Sequence, residues 1–138
     1  MNETRILRIF LRITGTFGLL ALVAVFMPHT GMNRINDTFC LGPLPDLPII
    51  SYLARFTSIF YAFFGAGMWF FSFDVQKYRE SLIFIGIASL VLTFLLLGVD
   101  LMVGMPWYWT LGETLGNGII ALVVLGLALR LNTAETEG

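Results

Sequence analysis

Cysteine and histidine are nearly absent from this 138-residue chain, which holds one of each, Cys40 and His29. A lone cysteine excludes an internal disulfide. With no CxxC pair and no Cys/His cluster, the sequence offers no zinc, iron–sulfur or attached-haem spacing, so no metal site and no cofactor is identifiable. Charge is scarce too, at 12% of residues, where a soluble domain carries about a quarter. A net charge of −1 leaves no basic surface to release counterions, which excludes nucleic acid as a partner. No phosphate-cradling glycine loop and no set of nucleophile, base and orienting group can be assembled.

Apolar residues fill the space that charge leaves, at 57% of the chain. Four apolar stretches, at about 6–27, 49–73, 82–103 and 106–131, are each long enough to cross roughly 30 Å of hydrocarbon at about 1.5 Å per residue. Unpaired backbone groups are not tolerated in lipid, and the alternation of a membrane barrel is missing, so these stretches predict helices. The expected architecture is all-α: one transmembrane domain over 1–138, a four-helix bundle. Four of the five prolines fall in or at the ends of PHTGMNRINDTFCLGPLPDLP, residues 28–48, which reads as a loop. Connections two and three are short, and in the third Gly104 ends one helix while Pro106 starts the next.

Six of the eight basic residues, Arg5, Arg8, Arg12, Lys77, Arg79 and Arg130, fall on one side of these spans. That asymmetry predicts both termini in the cytoplasm and the 28–48 loop outside. The basic start followed by an apolar run has the look of a secretory signal, but VFMPH has no small-x-small cleavage site, so a retained first helix is expected. Arg5, Arg8 and Arg12 share a helical face, from which they anchor the span and reach anionic lipid headgroups.

The helical faces carry stripes of small and polar residues. One runs through Ser51, Arg55, Ser58, Ala62, Gly65, Ala66 and Trp69, a second through Gly86, Ser89, Thr93 and Asp100, and a third through Trp109, Gly112, Glu113, Gly116, Asn117 and Ala121. Small residues permit close helix approach in lipid, so the stripes are expected to face one another, with the GxxxG of Gly112 and Gly116 used for internal packing.

Within MPWYWTLGETLGNG, Trp107, Tyr108 and Trp109 read as an interfacial aromatic belt, and Glu113 enters the membrane about 9 Å below Trp107. Arg55 and Asp100 lie at a similar depth on the second and third spans. A charge in hydrocarbon costs at least about 2.5–3.5 kcal/mol unless paired, so Arg55 is expected to meet Glu113, Asp100 or both, with Asn117, Tyr52, Ser58 or Tyr61 satisfying the remaining bonds. Such a cluster serves either as a structural staple or as a ligand site. His29 reads as a solvated loop histidine, and Cys40 as a packed thiol or a point of intermolecular bonding.

The sequence RIFLRITGTFGLLALVAVFMP, then SYLARFTSIFYAFFGAGMW, then LLLGVDLMVGMPWYW with a following Glu resembles small bacterial four-helix inner-membrane proteins of the DoxX-like kind. The resemblance implies a bacterial inner membrane and, in some relatives, association with quinone-linked or redox-stress membrane complexes. Three kinds of function remain open on the residues. The first is non-catalytic association with lipid, a larger membrane complex or further copies of the chain. The second is an outward-facing carrier or binder of a lipophilic or charged small molecule built on Arg55, Asp100 and Glu113. The third is a small membrane enzyme with Glu113 or Asp100 as a proton-transfer group.

Overall fold

A computed structural model describes residues 2–131, and these are helical with no strand. In chain order the helices are α1 (Glu3–Leu20), α2 (Leu22–Val25), α3 (His29–Thr38), α4 (Pro48–Phe73), α5 (Arg79–Val103) and α6 (Trp107–Arg130). Four segments are long and apolar enough to cross a membrane: Glu3–Val25, Pro48–Phe73, Arg79–Val103 and Trp107–Arg130. Met1 and residues 132–138, the chain ends expected in the cytoplasm, lie outside the described residues.

The helix ends follow local chemistry. Pro48 opens α4 and Pro106 caps α6, places where a missing N–H costs nothing and the fixed φ suits entry into a helix. Gly104 ends α5 at φ 76°, so the Gly104 and Met105 N–H groups both turn back to the Asp100 carbonyl, each at 3.0 Å. The first span is not one straight helix. At Ala21 the ladder tightens to bonds three residues apart, Ala21 N–H to Gly18 O at 3.1 Å and Ala24 N–H to Ala21 O at 3.0 Å, and regular helix stops at Val25.

Residues 28–48 also depart from the expected loop, because ten of them form α3. The four prolines prevent a helix from running through the whole segment, yet the stretch after Pro28 and before Pro43 is free of them. Helix α3 ends with Cys40 at φ 53°, closed by Cys40 N–H to Asp37 O at 3.1 Å and Leu41 N–H to Asn36 O at 3.0 Å. That is the Schellman arrangement, with cysteine at the left-handed position glycine usually takes. Asn33 Oδ1 accepts from Leu44 N–H at 2.9 Å and the Asn36 amide donates to Gly42 O at 3.4 Å, fastening the following segment onto α3.

The packing forms two compact units: residues up to Leu11 together with those from Phe71 onward, and residues 12–70. In the second of these, α1 and α4 cross at glycine. A Cβ on Gly18 would lie 2.8 Å from Gly65 Cα, one on Gly15 2.8 Å from Gly65 O, and one on Gly65 2.6 Å from Gly15 O, so backbone meets backbone. The Trp69 indole fixes the crossing by donating to Thr16 Oγ at 3.1 Å, and Arg12 lies 5.2 Å from the centre of the Trp69 ring.

In the other unit α5 and α6 run antiparallel. A Cβ on Gly86 would touch Leu125 at 2.8 Å, and one on Gly118 would lie 3.9 Å from Thr93. Seven residues up α5 therefore match seven down α6, which brings Asp100 to the level of Leu111, between Thr110 and Glu113. Along α5 the buried residues are Leu82, Gly86, Thr93 and Asp100, three of them from the stripe legible in the sequence. The rest of the surface is apolar and open: Phe26 is 86% exposed and Met102 88%. Side chains of that size and exposure are suited to lipid, not water.

Candidate functional site

Near the joined ends of α5 and α6 the polar residues of one unit collect. Asp100 is 8% exposed, and its Oδ2 is buried with no hydrogen-bond partner among the described residues. Its own backbone carbonyl, by contrast, accepts two bonds from the turn at Gly104. Glu113, half-buried on α6, stands two residues from the level of Asp100 in the α5–α6 register, and its carboxylate accepts a hydrogen bond from Trp109. One turn further, Asn117 is half-buried and makes no side-chain hydrogen bond among the described residues.

The basic residues of this unit belong to its opposite end. Arg79 starts α5, Arg130 ends α6, Lys77 precedes α5, and Gln76 donates to Thr4 Oγ at 3.4 Å, which places the N-terminal turn with Arg5 and Arg8 at that same end. Asp100 is 21 residues from Arg79, about 31 Å along the helix. Among the described residues of the unit, no counter-charge stands at the carboxylate level. Arg79 instead pairs with its exposed neighbour Glu80 at 3.4 Å.

Arg55, expected to meet a carboxylate, belongs to the other unit and has backbone partners there. Its Nε donates to Val25 O at 3.0 Å and its Nη2 to Met27 O at 3.5 Å. Both carbonyls lie where the first span stops, among the groups a helix terminus leaves without internal partners. A guanidinium at this point satisfies them and is favoured by the negative end of the helix dipole. Sequence reading missed this role because it matched charges with charges. The signal was present in an arginine eight residues into α4 and a first span ending just before Pro28. The side chains expected to assist Arg55 are engaged locally: Ser58 Oγ donates to Ala54 O at 2.9 Å, and Tyr52 stacks on Phe56 with ring centres 5.9 Å apart.

Gly112 and Gly116 correct a second expectation. A Cβ at either would meet nothing within 4 Å, so the GxxxG is not used for internal packing in α6. The residues that α6 buries are Thr110, Ala121, Val124 and Ala128, on a different face. The close approaches are made by Gly15, Gly18, Gly65 and Gly86 instead.

The aromatic belt stands at the start of α6, with Trp107 76% exposed and packed edge-on to Tyr108 at 6.0 Å. Trp109 is half-buried and donates to Glu113. His29 Nδ1 lies 3.3 Å from the Asn33 amide, and His29 Nε2 4.0 Å from Asp46 Oδ1. Among the described residues no three His, Cys, Asp or Glu side chains converge as a metal site.

An all-helical chain with four spans of this length and apolarity is a multi-pass membrane protein. No family model, no curated protein and no solved structure matches it.

Proposed function

We propose that this protein acts without catalysis, by associating inside the membrane with another membrane protein along the open face of α6. The observation that carries this reading is the contrast between glycines. Gly15, Gly18, Gly65 and Gly86 are closed off by neighbouring helices, whereas Gly112 and Gly116, one turn apart, adjoin open space. Lipid tails gain nothing from a missing side chain, but a second helix does, because the groove lets backbones approach closely. The row beside the glycines holds Glu113 and Asn117, polar groups suited to bonding across a helix interface.

In this reading the termini are cytoplasmic, the segment carrying α3 lies outside, and the membrane is a bacterial inner membrane, as the basic asymmetry and the DoxX-like resemblance imply. A photo-crosslinking residue at Leu115 in living cells tests the association. Discrete protein adducts that vanish in the Gly112→Ile/Gly116→Ile variant are expected, against only diffuse lipid adducts from a control at Phe84. Lipid adducts alone at Leu115 would overturn it.

A further inference from the structure

The polar row beside the glycine groove has a charge to match. We infer that the helix docking on α6 presents a basic side chain, lysine or arginine, which meets Glu113 in the field of Asp100. This rests on the association proposed above and names the chemistry of the partner.

Three observations carry it. Asp100 is more than nine-tenths buried, and its Oδ2 has no partner among the described residues. The α5–α6 register sets Asp100 opposite Leu111, two residues from Glu113, so two carboxylates share one level of the α5–α6 pair. The cations of that unit are at the far end of the helices, about 25–31 Å away along α6 and α5. Arg55, in the other unit, donates to the carbonyls of Val25 and Met27. A pair of carboxyl groups in a low-dielectric setting favours an incoming cation, and a further carboxylate on an incoming helix is rejected. A second copy docking by the same face would bring another Glu113 to the groove. Charge therefore selects a different, basic helix.

The geometry suits a side chain and not a bulk ion. Glu113 and Asn117 follow Gly112 and Gly116 by one residue each, about 100° round the helix, so they stand at the edge of the open groove, within reach of a long side chain on a helix lying in it. The long stem of lysine or arginine packs along the apolar surface while its head reaches the carboxylate. Asn117 supplies both an acceptor and donors one turn deeper. The partner cation touches Glu113, and Asp100 acts through its field from behind.

The test uses the full chain in phosphatidylcholine vesicles with fluorescent synthetic helices. One probe is a leucine/alanine helix of about 22 residues, with alanines four apart and a single lysine about 9 Å inside one end. The other carries leucine in place of the lysine. Energy transfer should show the lysine helix binding about tenfold more tightly, in line with polar contacts between membrane helices. Glu113→Gln should remove that preference, so that the lysine and leucine helices bind alike. Gly112→Ile/Gly116→Ile should abolish binding of both. Equal binding of the two probes, still lost in the glycine variant, would overturn the charge selection and leave the docking face intact. Binding of neither probe, with self-association that depends on Gly112 and Gly116, would show that the occupant is a second copy, and overturns the inference as well.

Discussion

Gly18 and Gly65 meet backbone to backbone, with 2.8 Å between Gly65 Cα and the place a Cβ on Gly18 would occupy. Nothing at this contact is the flexible end of a side chain, so an added methyl has to push the helices apart. Gly65→Ala should therefore cost about 1–3 kcal/mol, the usual range for overpacking. Gly112→Ala, where a Cβ meets nothing within 4 Å, should be neutral or raise stability slightly through helix propensity. Thermal unfolding of the two variants in one detergent checks the contrast, and equal losses would contradict the crossing.

Arg55→Leu removes the donors to Val25 O and Met27 O at the end of the first span. The expected loss is about 1.5–3 kcal/mol, that of hydrogen bonds from a charged group. Glu113→Gln keeps the shape and hydrogen-bonding capacity of its side chain and should cost clearly less. Scanning fluorimetry gives the order, and amide exchange should rise at the end of α2 in the arginine variant. A loss in Glu113→Gln as large as in Arg55→Leu would mean that the carboxylate has structural partners of its own.

The residues that made the fold legible were those whose cost in lipid leaves little choice. Long apolar runs had to become helices, and Pro48, Gly104 and Pro106 mark helix ends where the sequence placed them. The buried line Gly86, Thr93, Asp100 on α5 was visible as small and polar residues seven apart. What escaped was the choice among chemically equivalent partners. Every GxxxG-like pair looks the same in a sequence, and only the packing shows that Gly15, Gly18 and Gly65 are closed off while Gly112 and Gly116 are open. Arg55 was expected to find a carboxylate because side-chain charges can be seen in a sequence. The carbonyls at a helix end cannot be seen until the position of that end is known.

The segment after α3 can be addressed through Cys40, which is exposed. With the 28–48 segment outside, a membrane-impermeant thiol reagent should label Cys40 in intact cells. Labelling that appears only after lysis would reverse the orientation.

Cys40 also holds φ 53°, a left-handed conformation that favours glycine. Cys40→Gly should stabilise the end of α3 by about 0.5–1 kcal/mol, provided the Leu41-to-Asn36 bond persists. Slower amide exchange at Leu41 would show it, and faster exchange would show that the cysteine side chain contributes more than its backbone strain costs.

Between Val103 and Trp107 lie three residues, a turn closed on the Asp100 carbonyl. So short a link cannot cross a headgroup layer, and neither α5 nor α6 can enter the bilayer and leave the other outside. The second half of the protein is therefore committed to entering as a hairpin, with Asp100 and Glu113 carried at its tip in one event. A pulling-force profile of the nascent chain should show a single insertion peak for these two helices, where independent spans would give two.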